Sequence, residues 1–304
     1  NRHGFIRVYF RLGWICVSHT LTARYEYIGK LGVPILHKEE FISVKASAVL
    51  AFDKTFGAYV SHEEADKIFY VLAKKFLNHI NSFGVVLEGT SFNDVSDNTF
   101  QVDHASAKVL LRAAFESYMT ISHLFFNKSS HTDFRILLYK YSGLKERSEK
   151  LPREWADNEL IKKISNEQRD MEKLKVSIYE LGEKLEISVP LIKKAIDDGW
   201  RAGNGWVKIG KSSSLPSKYV EAVYPYLCGF SHSGYESYMQ LVTDEGLSLS
   251  KLEENQSTLY FYAALLIAHF CESYVAFTSS KIDVGFDQVS DVGSFLYKYK
   301  DIYS

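Results

Sequence analysis

Residues 109–126 read VLLRAAFESYMTISHLFF, an apolar run of helical length that carries one Arg, one Glu and one His. On a helical wheel with Arg112 at zero, His123 falls at roughly 20° and Glu116 at roughly 40°, while Met119, Phe126 and Phe115 lie within about 60° on the other side. The ionisable groups therefore share a face with large apolar side chains. A surface helix sets its charges opposite the apolar face and carries more of them. The run predicts a central helix buried on most sides.

Arg112 and Glu116 are four residues apart with Arg first, the weaker order against the helix dipole. Helix stabilisation is thus a poor reason for the pair. Burial costs several kcal/mol per ion, so further polar groups must reach the pair from elsewhere in the chain. Two readings stay open: a structural ion pair that fixes helix register, or a site built around it.

Outward from this run, helical periodicity continues on both sides. Residues 39–59 carry apolar Phe41, Val44, Ala48, Phe52 and Phe56 at helical spacing. A second helix is expected from Ser61, where S-H-E-E forms a capping box with Glu64, and its stripe is Ile68, Leu72, Phe76 and Ile80. Residues 84–102 are turn-rich and end at Asp103, a good cap for the central helix. Thr132 can start a helix that runs towards Pro152.

From Glu154 to about Glu186 charges dominate, with Leu160, Ile164, Met171, Leu174, Ile178, Leu181 and Leu185 at intervals near a heptad seam. This predicts a charged helical insertion over residues 151–200, packed on one side or pairing as a homodimer. Its ELGEKLEISVPLIKKAIDDGW has helix-turn-helix rhythm, with EIS as the turn and Pro190 opening the second helix. Asp197 and Asp198 offset Lys193 and Lys194, which argues against DNA recognition. Residues 199–216 form a Gly- and Ser-rich loop with two tryptophans, whose glycines lack phosphate-loop or dinucleotide spacing, so no nucleotide cofactor is expected. A helix from Ser217 ends in YPYLCGFSHSG, which gathers Tyr224, Tyr226, Ser231 and His232. The last long helix, about 257–279, is almost wholly apolar except for His269 and Glu272.

The 304 residues are 46% hydrophobic and 24% charged with a formal net charge of -1, which fits a soluble globular chain and offers no global attraction for nucleic acid or an anionic membrane. Cys16, Cys228 and Cys271 are widely separated and suggest no disulfide framework or CxxC site, so a reducing cytoplasm is expected. Arg7 and Arg11 break the apolar start at residues 5–17, against a signal peptide. His269 and Glu272 sit in the middle of Leu259 to Phe277, against a membrane span. The expected architecture is an all-α multi-helix bundle of about eight to ten helices, with residues 1–150 and 201–304 forming one bundle around the insertion at 151–200.

The R-x-x-x-E helix, Arg112 and Glu116, followed by YPYLCGFSHS resembles a family of bacterial all-helical proteins catalogued as of unknown function. The likeness covers roughly residues 100–280. That family looks like a distant relative of the HEPN helical bundles, many of them metal-independent ribonucleases of toxin and phage-defence systems. HEPN nucleases carry an Arg shortly followed by a His on one helix. No Arg here has a His at that spacing, so a nuclease requires Arg112 and His232 to converge from different helices.

Three functions follow as expectations. In a metal-independent ribonuclease acting on RNA, His232 serves as general acid or base, Arg112 stabilises phosphate charge, Glu116 orients Arg112, and Tyr226 or Ser231 supports them. In a metal-binding bundle, Glu116, His123, His269 and Glu272 are the ligands. In a non-enzymatic binding bundle, the polar cluster is structural or closes over a small ligand, with the charged arm and the tryptophan loop as surfaces.

Overall fold

The computed structural model describes residues 36–59, 63–97, 100–127, 131–150, 157–232, 234–245, 249–280, 282 and 289–303, all within the compact unit Ile35–Ser304. Arg7, Arg11, Cys16, Ser61 and Pro152 lie outside them. Eleven α-helices occur among the described residues: α1 Lys38–Tyr59, α2 Glu64–Leu87, α3 His104–Ile121, α4 Thr132–Lys150, α5 Asn158–Lys184, α6 Val189–Asp198, α7 Trp206–Lys211, α8 Ser217–Ser231, α9 Tyr235–Glu245, α10 Leu249–Thr278 and α11 Ser290–Tyr299. A single π-turn, Ser122–Phe126, extends α3. The protein is an all-α multi-helix bundle. The one extended pairing among the described residues is an isolated bridge between Thr90 and Gln101.

The expected central helix is the hub. Asp103 caps it by accepting a 2.9 Å hydrogen bond from the Ser106 amide. Antiparallel α2 lies along one side, with Phe76 6.3 Å from Tyr118 and Phe69 5.2 Å from Phe125 between ring centroids. The apolar face of α10 closes this pair: Phe270 stacks on Phe76 at 4.2 Å, and Tyr274 stacks on Phe69 at 5.3 Å. Such ring pairs add about 0.5–1.5 kcal/mol each beyond the area they bury. On the opposite side Phe115 meets Tyr219 of α8 at 5.2 Å. The sequence periodicity has its cause here, since Leu72, Phe76 and Ile80 are all buried.

By length and composition α10 is the one helix among the described residues that could cross a membrane, and 72% of its most apolar window is buried inside the bundle. An apolar helix surrounded on most sides is what a bundle core requires.

The charged segment folds back on the chain. Asp157 caps α5 through a 2.8 Å bond from the Leu160 amide, and α5 and α6 pack on α4 around Phe134, Leu138, Ile178 and Ile192. The turn between them places Glu186 in the left-handed region at φ 56°, and Pro190 sits in the first turn of α6. At Gly182 an added Cβ would meet Ile192 Cδ1 at 2.4 Å, so a glycine lets α5 and α6 approach closely. α2 is described from Glu64, and Glu63 at its cap position makes no side-chain cap bond.

Candidate functional site

The central ion pair is present and has the additional partner that its burial demands. Arg112 Nη2 lies 2.8 Å from Glu116 Oε1, with the two side chains 21% and 27% exposed. The Tyr224 hydroxyl, from α8, donates to the same oxygen at 2.7 Å. Both contacts fall on Oε1, and among the described residues Glu116 Oε2 has no hydrogen-bond partner. Burial pushes the Arg112 pKa down, but Glu116, Tyr224 and Cys228 outweigh it and the net shift is upward. Burial, then the bond to Glu116, raises the Tyr224 pKa, so the phenol stays protonated and remains a donor.

One turn before Arg112, the 2% exposed Lys108 sets its ammonium 4.0 Å from the centre of the Phe230 ring and 5.2 Å from that of Tyr226. Its four-residue spacing from Arg112 on a buried face was a signal for this contact. Tyr226 also packs edge-on against Phe230 at 5.6 Å. Tyr224, two residues earlier, is therefore the tyrosine that reaches Glu116. Ser231 has a buried hydroxyl with no partner among the described residues. His232 is exposed at the C-cap of α8, about 12 Å along the helix axis beyond Tyr224.

The four alternative metal ligands stand in different surroundings. Glu116 faces Tyr224, whereas the His123 ring is 5.6 Å from Trp200. Burial, then the Arg135 charge, lowers the His123 pKa to about 4. His269 Nδ1 is 3.5 Å from Ser214 Oγ, and burial lowers its pKa to about 4. Glu272 is exposed. Among the described residues no group of three or more His, Cys, Asp or Glu is arranged to hold a metal ion.

Glu116 also belongs to a cleft of about 930 Å³ between α2, α3, α4 and α5. Ala113, Glu116, Ser117 and Thr120 of α3 form its floor, and Lys75 of α2, Tyr139 and Ser142 of α4, and Trp200 and Trp206 line it. Trp200 is the centre of the aromatic wall: Tyr139 stands edge-on to it at 5.6 Å and Trp206 at 5.8 Å. The Arg201 guanidinium covers Trp206 at 5.0 Å. Positive φ at Gly199, Ala202 and Gly203 turns the loop back so that both indoles reach one wall. The turn-rich composition signals this bend, but the short α7 that carries Trp206 lies hidden inside it.

Two ion pairs also line the cleft, with Lys140 2.6 Å from Glu64 and Lys173 3.3 Å from Asp170. Lys75, exposed on α2, has no ion-pair partner among the described residues. Comparison with protein-family models, with curated proteins and with solved structures finds no match to this chain, so its chemistry is read from the site alone.

Proposed function

We propose that this chain is a ligand-binding helical bundle whose cleft holds a small organic molecule. The observation that carries this reading is the position of Glu116. Its carboxylate is fixed through one oxygen by Arg112 and Tyr224 and lies on the floor of the cleft lined by Tyr139, Trp200 and Trp206. A concave, partly aromatic site with few oriented polar groups is the usual form of a small-molecule pocket. The test is ligand-observed NMR of the full chain against a fragment library, repeated with Trp206→Ala. Hits whose signals vanish in the variant support the cleft; a screen without hits, or hits indifferent to Trp206, sinks it.

The metal-independent ribonuclease implied by the HEPN resemblance is the second reading. Supporting it is Arg112, half-buried on the α3 face towards α8, whose last turn holds Ser231 and leads into His232. A guanidinium at such a seam suits a phosphodiester. In this reading His232 transfers the proton, Arg112 stabilises phosphate charge, Glu116 orients Arg112, and Ser231 and Tyr226 assist. Incubation with mixed cellular RNA in excess chelator tests it: cleavage by the parent and none by His232→Ala is expected, and intact RNA with both eliminates this reading.

A further inference from the structure

Resting on the reading of the cleft as a ligand site, we propose that its occupant is an organic cation: a protonated amine on an aromatic or apolar body. The ammonium hydrogen-bonds to Glu116 Oε2, and the body lies against Tyr139, Trp200 and Trp206.

The first argument is a count of donors and acceptors. Ser117 Oγ donates to the Ala113 carbonyl at 2.8 Å, Thr120 Oγ1 to the Glu116 carbonyl at 2.7 Å and Ser142 Oγ to the Leu138 carbonyl at 2.7 Å. A hydroxyl has one proton to give, so all three have only lone pairs left for a ligand. Glu116 Oε2 is likewise an acceptor. These three hydroxyls and Glu116 Oε2 therefore ask the ligand for donors, and an ammonium brings three. Of the other polar groups on the α4 wall, Lys140 is held by Glu64 at 2.6 Å and the Tyr139 hydroxyl can donate or accept. A carboxylate or phosphate placed against the three hydroxyls and Oε2 would face lone pairs.

The second argument is the direction of the buried pair. Arg112 engages Oε1 and does not line the cleft, while Glu116 does. The negative end of the pair thus points inward with its neutralising partner behind it. Of the lining lysines, Lys140 and Lys173 are paired with Glu64 and Asp170, which leaves Lys75 as the competing attraction for an anion. It is exposed, however, and at 0.1 M salt charges at a surface are screened over about 10 Å, whereas Glu116 is largely withdrawn from solvent.

The third argument is the aromatic wall. The electron-rich faces of indoles attract cations, and Arg201 already occupies one face of Trp206 at 5.0 Å. Aromatic rings beside an oriented carboxylate satisfy both halves of an amine that bears an apolar body.

Three probes of matched shape test this on the full chain: phenethylamine, 2-phenylethanol and phenylacetate, titrated by calorimetry and by quenching of tryptophan fluorescence. Phenethylamine is expected to bind about tenfold or more tightly than the alcohol, the usual gain of a charge-assisted hydrogen bond, and phenylacetate more weakly than either. Glu116→Gln should bring amine and alcohol to within about threefold while still binding the alcohol, which shows that the cleft remains folded. Trp206→Ala should weaken both. Equal binding of amine and alcohol by the parent overturns the inference and leaves the cleft reading intact. So does tightest binding of phenylacetate with its loss in Lys75→Met, which would make Lys75 the anchor. Binding of none of the three overturns the organic-cation inference, and the fragment screen then decides separately whether the cleft takes any ligand.

Discussion

Tyr224 and Glu116 stand 108 positions apart in the chain, yet a single 2.7 Å hydrogen bond fixes the carboxylate of one with the phenol of the other. The contact joins α8 to α3 at the point where α3 carries its buried ion pair. It also orients Glu116, a residue of the cleft lining, because Arg112 and Tyr224 share Oε1 and Oε2 has no hydrogen-bond partner among the described residues.

Removing that donor has a bounded cost. Tyr224→Phe should destabilise the fold by about 1 kcal/mol, the net worth of one hydrogen bond with the ring retained. Glu116→Ala should cost more, roughly 2–3 kcal/mol, because it strands Arg112, whose buried Nε has no hydrogen-bond partner among the described residues. The partial exposure of the pair keeps this below the cost of a fully buried one. Urea midpoints of the two variants check the order; a Tyr224→Phe loss as large as that of Glu116→Ala would contradict it.

Much of the fold was legible because buried helices impose their period on the sequence. Leu72, Phe76 and Ile80 mark the face of α2 that is buried, Asp103 caps α3, and Pro190 opens α6. The site was less legible for two reasons. Arg112, Glu116 and His123 share one face on a regular wheel, but the π-turn Ser122–Phe126 changes the phase before His123 is fixed. His123 then lies beside Trp200, with its carbonyl accepting a 2.9 Å bond from Arg135 Nη1. Tyr224 and Tyr226, two apart in YPYLCGFSHS, point to different sides of α8, and only its packing on α3 decides which one reaches Glu116. α7 and α11 are too short, at 6 and 10 residues, for periodicity to stand out.

The two inward histidines predict acid sensitivity. His123 and His269 have folded pKa values of about 4, set by burial in both and by Arg135 in His123, against an unfolded value of about 6.5. Below pH 6.5 the unfolded chain takes up protons that the folded chain refuses, so stability falls as pH drops and the loss is complete near pH 4. At pH 5 each histidine should account for about 2 kcal/mol relative to neutral pH. Urea melts at pH 7.5 and pH 5 measure the sum. His269→Gln, which keeps a polar group beside Ser214, should remove about half of it.

Gly210 sets how closely α7, and so Trp206, can approach the bundle. An added Cβ would lie 2.7 Å from Val220 Cγ1 and 2.9 Å from Met119 Sδ. The methionine can yield, but the branched valine on α8 cannot do so without a backbone shift. Gly210→Ala should therefore cost about 1–3 kcal/mol in overpacking, offset by about 1 kcal/mol of helix propensity. A blue or red shift of tryptophan emission should accompany it as Trp206 moves relative to Trp200. Wild-type emission together with wild-type stability would show that α7 has room that the close contacts deny.

His232 should behave as the opposite of Glu116. It is exposed at the end of α8, and an exposed substitution that removes no cap, pair or packed group changes stability by less than about 0.5 kcal/mol. His232→Ala should therefore melt within that margin of the parent, whereas Glu116→Ala melts well below it. The comparison bears on both functional readings. A near-neutral effect on folding leaves the variant available as a clean test of RNA cleavage. A loss comparable to that of Glu116→Ala would make His232 a structural residue of the α8 terminus and remove it from any proton-transfer role.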